Sequence, residues 1–466
     1  MISFKNQLIL VIGDVMLDNY IDGDVKRISP EAPVPVLSVK STKQHLGGAG
    51  NVVNNIISLG ASVVLLSCWG ADNAGDALSN LLYKTGVDTS FVRRYNNVTT
   101  IEKTRMVSRN HQLFRYDIEK IEPLCKEYMN FLLDKRSEFF KGITAVIVSD
   151  YGKGMITEKS AQLIIKEANK RQIPVIVDPK GSSYEKYKGA TICTPNYKEF
   201  LEATGVSEDC SEQDVMTFGI SLAKRHSFEN LLITRSAKGM SLIHDSKRSD
   251  FPAVSQEVTD VTGAGDTVVA VFALGMGAGL SLSECCIMAN NAAAIVISKF
   301  GAATVTPDEL MHSNKLAESG LSIASELRRQ GRSIVFTNGC FDIVHAGHVK
   351  SFEQAKAFGD VLIVGLNSDR SVRAIKGLTR PLVSQENRAK LLCALSCIDY
   401  VIIFDEDTPE RLINEICPDV LVKGADWRGK IVVGQDVVEA NGGKVELIEL
   451  EQGLSTTSII EKIKLS

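Results

Sequence analysis

Long apolar runs, paired cysteines and blocks of like charge are all missing from this chain, and each absence removes a class of protein. No apolar stretch approaches the roughly 18 residues needed to span a bilayer, so membrane anchoring is not expected. The opening MISFKNQLILVIGDVML has an apolar run too short for a signal-peptide core. Gly13 and Asp14 break it and no small-residue cleavage site follows, so it reads as a first buried strand and not as an export signal. Of the ten cysteines, Cys285 and Cys286 are adjacent and the rest are scattered, with no Cys-x-x-Cys. That pattern argues against a metal knuckle and for free thiols in a reducing cytoplasm. There is no run of Lys/Arg and the net charge is −4. This argues against a general nucleic-acid-binding surface and leaves room for a local basic pocket for a phosphorylated small molecule. Internal repeats and low-complexity segments are also absent.

What is present is an α/β alternation. A length of 466 residues exceeds what one core usually organises, and 44% hydrophobic with 23% charged residues is the balance of a soluble globular protein. Apolar runs (LILVI, SVVLLS, TAVIVS, IPVIV, NLLITR) alternate with amphipathic stretches such as SAQLIIKEANKR, as in a parallel sheet covered by helices on both faces. Two stretches interrupt them: YIDGDVKRISPEAPVPVLSV and TIEKTRMVSRNHQLFRYDIE have period-two, charge-rich patterns that predict a small separate sheet covering a site. The segment TPDELMHSNKLAESGLSIASELRRQG predicts a helix start at Thr306-Pro307, a long polar helical pattern and a stop at Gly331. The expected domains are therefore 1–315, a helical linker over 316–332, and a smaller doubly wound domain over 333–466 built on SIVFT, DVLIVGLN, DYVIIF, DVLVK and KVELIEL.

The first candidate site centres on DVTGAGDT. Gly263 and Gly265 let backbone N–H groups converge where a small-residue helix begins, which favours an anion. Asp266 beside that anion hole would repel a phosphate as a ligand. It makes sense as a base that takes a proton from an attacking hydroxyl. Taken alone, the match is an ordinary glycine turn with a first-turn carboxylate; its context gives it weight. Asn196 and Glu199 in TPNYKEF are spaced to share a helical face and to hold Mg²⁺ through water. GGAGN places Gly48 and Asn51 at a second glycine turn, and GDVMLDNY sets Asp14, Asp18 and Asn19 just past the first strand. Together these residues resemble the ribokinase-like carbohydrate kinases over roughly the first 300 residues. The resemblance implies a ribokinase-like domain with a small β lid that often pairs with another subunit. It also implies Asp266 as base, Gly263, Ala264 and Gly265 as anion hole, and Mg²⁺ with ATP organised by Asn196 and Glu199. Tyr197, Lys198, Thr234 and Gly239 are implied near the nucleotide, and Asp14, Asn19, Gly48 and Asn51 at the sugar. SDYGKGM, residues 149–155, fits as a loop beside the substrate. Lys153, Lys180, Arg105 and Arg115 are candidates for a phosphate already on the sugar, each equally explicable as a solvated surface charge.

The second candidate site is NGCFDIVHAGH, residues 338–348, where a strand gives way to a helix. His345 and His348 lie three apart in the helix's first turn, where imidazoles suit an anion better than a cation. They sit inside G-x-F-D-x-x-H-x-G-H, and with GLNSD, AIKG, ENRAKLL, VKGADW and STTSII this half resembles the cytidylyltransferase-like nucleotidyltransferases. The resemblance implies a Rossmann-like domain in which His345 and His348 shield charge on an α-phosphate. Asn338, Gly339, Phe341, Asp342, Lys376, Arg388, Ser455, Thr456 and Thr457 would contact ATP, with Lys423 nearby. Over the whole chain, the order of the halves resembles the bacterial family that joins a heptose-phosphate kinase to a heptose-phosphate adenylyltransferase. That resemblance implies ATP as donor in both halves, heptose phosphates as substrates, ADP-heptose for lipopolysaccharide core as product, and a homodimer through the lid. Two other readings fit the same residues: a different sugar kinase fused to a cytidylyltransferase acting on an alcohol phosphate, and a catalytically idle nucleotide-sugar sensor.

Overall fold

Alternate residues of one short strand explain why the apolar runs are continuous. Ile9 and Val11 enter one core and Leu10 and Ile12 enter another, so the strand Leu8–Gly13 is covered on both faces. A computed structural model describes residues 4–449 apart from 110, 255–257, 300, 302, 314, 318 and 330. It divides the chain into two units, Met1–Leu310 and Met311–Ser466.

In the first unit, Leu8–Gly13 lies within an eight-stranded sheet. Six strands run parallel in the order Ser62–Leu66, Leu8–Gly13, Ala145–Ser149, Val175–Asp178, Ile192–Cys193 and Asn230–Thr234; Met240–His244 and Lys247–Phe251 finish one edge antiparallel. The helix Ala264–Gly277 is buried from Asp266 to Gly275, which is why its sequence is apolar all round. The period-two segments form the expected separate sheet, with strands in the order Pro35–Gly48, Val15–Ile28, Glu102–Ser108 and His111–Ile118.

The second unit is a six-stranded parallel sheet in the order Leu316–Ala317, Tyr400–Phe404, Val361–Asn367, Ile334–Gly339, Val420–Gly424 and Lys444–Ile448. From Ile334–Gly339 the chain adds strands on one side, then crosses to start the other side with Val420–Gly424. A crevice opens at the carboxyl ends of those two strands, the switch point where doubly wound sheets bind ligands. Among the described residues, no helix is long and apolar enough to cross a membrane.

The segment 316–332, expected as a linker, is built into the second unit. Leu316–Ala317 pairs with Val401 and Ile402, and the helix Gly320–Arg329 buries Ala324 and Leu327 in one core with Leu412, Ile413 and Ile416. The single helical pattern read from Thr306 to Gly331 is accordingly two helices, Pro307–Ser313 and Gly320–Arg329, with the edge strand between them. Thr306 does open the first, exchanging capping hydrogen bonds with Glu309. Polar residues dominated that pattern and hid the Ala324/Leu327 stripe that anchors the second helix. A fragment starting at residue 311 should therefore unfold at higher urea than one starting at 333, which loses at least about 2 kcal/mol of side-chain burial. Equal midpoints would show the helix to be dispensable.

Candidate functional site

Asp266 occupies the first turn of the buried helix, and its carboxylate is held from two distant parts of the chain. Asn51 Nδ2 donates to Oδ2 at 2.6 Å, and the Tyr151 hydroxyl donates to Oδ1. Burial raises the Asp266 carboxyl to about 6, against the lowering effect of those two hydrogen bonds. Gly263 caps the helix at φ 79°, and a Cβ there would come within 2.7 Å of Asn51 Nδ2, so the turn requires glycine. The Ala264 N–H is taken by the Val261 carbonyl at 3.3 Å. The amides of Gly265 and Asp266 have no acceptor among the described residues, leaving two helix N-terminal donors for an anion.

Tyr151, Gly263, Gly265 and Asp266 line a cavity of about 250 Å³ together with Asp150, Asp178, Lys180, Asn196, Glu199 and Thr234, while Asn51 and Ala264 lie outside its lining. Asn196 and Glu199 do not share a helical face as expected. Asn196 is the N-cap and Glu199 the third helical residue, and they close a capping box: Asn196 Oδ1 accepts the Glu199 N–H at 2.9 Å and Glu199 Oε2 accepts the Asn196 N–H at 3.2 Å. Both still line the cavity. Tyr197 and Lys198 do not; Tyr197 packs on Phe200 and beneath Arg235, and the Lys198 side chain is 86% exposed. Gly239 sits outside the lining too, in a tight turn at φ 82° where a Cβ would strike the Phe251 carbonyl.

The expected sugar-side residues are drawn into structural pairs. Asp14 accepts backbone N–H groups from Tyr151, Lys153 and Met155, which fixes the loop that carries Tyr151. Gly48, at φ 60°, caps the helix that bears Asn51, with no room for a Cβ beside the Asp14 carbonyl. In the small sheet, Asn19 bonds Thr104 and Gln44, Arg105 pairs with Asp18 at 2.6 Å, and Arg115 with Asp117 at 2.9 Å. Lys153 pairs with Glu119 at 2.6 Å and lines, with Asp14, a second cavity of about 320 Å³. The sequence reading missed Tyr151 and Asp178. Both lie at carboxyl ends of parallel strands, Tyr151 two residues past Ala145–Ser149 and Asp178 as the last residue of its own, and that position is the signal that would have found them. Burial and the charges of Asp266 and Glu199 push the Asp178 carboxyl well above the usual range.

In the second unit the crevice at the switch point is a cleft of about 1060 Å³ lined by Asn338, Gly339, Phe341, Asp342, His348, Lys376, Lys423 and Trp427, among others. His345 is the N-cap of the helix Ala346–Lys356 and not part of its first turn. The imidazoles of His345 and His348 stack at 3.9 Å between ring centroids. His348 Nδ1 accepts the His345 N–H at 3.4 Å, which leaves Nε2 as the protonated donor of the neutral ring. Burial, then the neighbouring His345, lowers the His348 imidazole to about 4, which favours the neutral ring. The amides of Ala346 and Gly347 have no acceptor among the described residues, a second pair of helix N-terminal donors. Across the cleft, Lys423 donates to Asn338 Oδ1, and burial lowers its ammonium to about 8.

Two of the expected nucleotide contacts serve the walls of the cleft. Asp342 Oδ1 accepts the N–H groups of Leu382 and Val383 at 2.7 and 3.0 Å, and its carboxylate pairs with Arg380. Arg388 is 1% exposed and lies outside the cleft. Its guanidinium bonds the carbonyls of Val383, Cys340 and Asn367 and pairs with Asp369 at 2.7 Å, a clamp behind the site. Ser455, Thr456 and Thr457 fall outside the described residues.

An anion pocket with a poised carboxylate followed by an imidazole-bearing cleft at a Rossmann-like switch point defines a two-unit transferase, a carbohydrate kinase joined to a nucleotidyltransferase. The family profiles agree: pfkB family carbohydrate kinase matches residues 6–309, and Cytidylyltransferase-like matches 336–462. The chain belongs to the family of the bifunctional HldE proteins. It is 46% identical over 468 residues to Bifunctional protein HldE of Trichlorobacter lovleyi, covering 97% of this chain and 95% of the relative. It is 45% identical over 476 residues to the Haemophilus influenzae strain PittEE protein of the same name, covering 99% and 98%. For the fold of the first unit, Arabidopsis thaliana ribokinase complexed with ribose and ATP superposes with a TM-score of 0.54 at 20% identity, covering 67% of this chain and 99% of that one. Escherichia coli phosphofructokinase-2 in complex with potassium gives 0.55 at 18%, covering 65% and 96%.

Replacing Arg388 with Met should destabilise the second unit by about 3 kcal/mol, because three buried carbonyls and Asp369 lose their partner. Urea unfolding of the second unit measures this, and an unchanged midpoint would mean the guanidinium is not a clamp.

Proposed function

We propose that the first unit transfers the γ-phosphoryl group of ATP to O1 of D-glycero-β-D-manno-heptose 7-phosphate, and that the second transfers an adenylyl group from ATP to heptose 1-phosphate, giving ADP-heptose and pyrophosphate. Family membership supports the heptose and adenylyl assignments, and the single structural feature that carries the chemistry is the Asp266 carboxylate, raised to about 6 beside two unpaired helix amides. A base poised near neutrality can take the hydroxyl proton as the oxygen attacks, and the Gly265 and Asp266 amides can meet charge on the transferred group. In the second unit no protein nucleophile is needed. Positioning does most of the work, with His348, the Ala346 and Gly347 amides and Lys423 arranged around charge that develops at the α-phosphate.

Mg²⁺ fits the first pocket by the chemistry of its donors. Carboxyl groups of Asp178 and Glu199 share the cavity, and the Asp178 carboxyl is driven upward by burial first and then by the charges of Asp266 and Glu199. Mg²⁺ is characteristically held by one or two carboxylates, water and nucleotide phosphates. When bound with ATP, the ion supplies charge neutralisation along the phosphates. Asn196 and Glu199 would hold it through water, their carboxamide and carboxylate oriented by the capping box. We also propose a cytoplasmic homodimer that pairs through the lid, whose strand His111–Ile118 exposes Phe114, Tyr116 and Ile118.

Product analysis by mass spectrometry, with heptose 7-phosphate and then heptose 1-phosphate in Mg-ATP, tests the assignment. Asp266→Asn should cut phosphoryl transfer by about 10³ or more and spare adenylyl transfer, while His348→Ala should cut adenylyl transfer by about 10²–10³ and spare the kinase. A simultaneous loss of both activities in either variant contradicts two independent sites. A strong preference for CTP would replace the adenylyl assignment.

The kinase should also carry an acid limb in kcat/KM near pH 6, because Asp266 must be ionised to accept a proton and is lost as a base when the pH falls through its pKa. Tyr151→Phe removes a hydrogen bond that stabilises the carboxylate, so the limb should move to higher pH. A shift to lower pH, or none, would exclude Asp266 as the titrating base.

A further inference from the structure

The cavity around Asp266 is short of positive charge. Four carboxylates line it, those of Asp150, Asp178, Glu199 and Asp266, against one cation, Lys180. Asp150 is satisfied from elsewhere by Lys186 at 2.5 Å and the Tyr187 hydroxyl at 2.6 Å. A triphosphate entering the cavity therefore meets the carboxylates of Glu199 and Asp266, Asp178 being pushed toward its neutral form by burial, with two helix amides and Lys180 to offset them. In water such charges are screened; inside a pocket they are not, and the position of a single ammonium then decides whether the anion binds.

Lys180 is anchored at one end and free at the other. Its backbone N–H donates to the Tyr187 hydroxyl at 2.9 Å, while its side chain is 52% exposed and its Nζ rests on Glu199 Oε1 at 2.8 Å. Glu199 cannot follow a departing lysine, because its other oxygen is tied to the Asn196 N–H and its own N–H to Asn196 Oδ1. The pair can therefore separate without disturbing the helix Tyr197–Thr204. A phosphate carries more charge than the carboxylate it would replace, and a compact ammonium on a four-carbon stem can re-aim over several ångström.

We propose that Lys180 grips the terminal phosphates of the nucleotide in the kinase reaction, exchanging its ion pair with Glu199 for the phosphate and thereby uncovering Glu199 Oε1. This rests on the reading of the cavity as the phosphoryl-transfer site. The exchange makes one lysine serve two states: it neutralises the carboxylates while the pocket is empty and the phosphates once it is filled. It also reassigns Lys180, which the sequence placed among candidates for the phosphate on the sugar. The residues that share its cavity are those of the phosphoryl-transfer end.

The test uses the full chain with Lys180→Met, Lys180→Arg, Glu199→Gln and the Met/Gln double variant, the urea unfolding of the first unit in each serving as a check on folding. In Lys180→Met the kinase KM for ATP and the inhibition constant of ADP should rise at least tenfold, and Lys180→Arg should recover most of that loss. Adenosine, which has no phosphate, should inhibit all variants alike. Glutamine at 199 keeps the capping bond and releases the lysine, so equilibrium binding of ADP in EDTA should tighten in Glu199→Gln and lose that gain in the double variant. Unchanged ADP binding in Lys180→Met, or adenosine weakened as much as ADP, would reduce Lys180 to a salt-bridge partner and overturn the proposal. Failure of the underlying reading looks different: the wild type would not phosphorylate the sugar phosphate, or Asp266→Asn would retain activity.

Discussion

A carboxylate that must stay ionised at the start of a buried apolar helix is expensive, and much of the first unit is organised around keeping Asp266 in that state. Its helix begins at a glycine that leaves two amides unpaired and brings the dipole's positive end to the carboxylate. The Asn51 carboxamide reaches it from a helix entered by a second glycine turn, and the Tyr151 hydroxyl from a loop pinned by Asp14. Asp14 is thus felt at Asp266 through the loop it holds, although the two carboxylates share no hydrogen bond. Charge is balanced finely enough to leave the group near 6, where it is mostly ionised at neutral pH yet basic enough to accept a proton.

The second unit answers the same demand, a phosphate met away from water, with different chemistry. It also opens a helix with two unpaired amides, but the side chains presented to the cleft are a neutral imidazole and a lysine lowered to about 8. Burial disfavours the charged form of both groups. Arg388 behind the cleft and Asp342 in its wall hold the chain between Arg380 and Val383 and the turn at Cys340.

Much of this was legible in the residues themselves. Strands covered on both faces must be apolar without interruption, so the central strands of both sheets could be read directly, and the charged period-two segments announced the separate lid. Glycine turns before helices located both anion sites, because few other residues allow the backbone so close. The edges were less legible. The helix Gly320–Arg329 looked like a linker since only two of its positions declare a buried stripe, and Asn196 looked like a face-sharing metal ligand because cap and first turn have the same spacing as a helical face.

What the sequence determined alone is local: where strands run, where helices begin, and which turns require glycine, since all of these follow from neighbours within a few residues. What tertiary structure decided is occupancy. Arg105, Lys153 and Arg388 have the composition of phosphate ligands, and only the fold reveals that Asp18, Glu119 and the Cys340 carbonyl, each more than 30 residues away, already claim them. Tyr151 and Asn51 reach Asp266 across 115 and 215 residues, separations at which no pattern in the chain records that the three will meet. Long-range electrostatic pairing depends on packing, and packing is fixed only when the two sheets close.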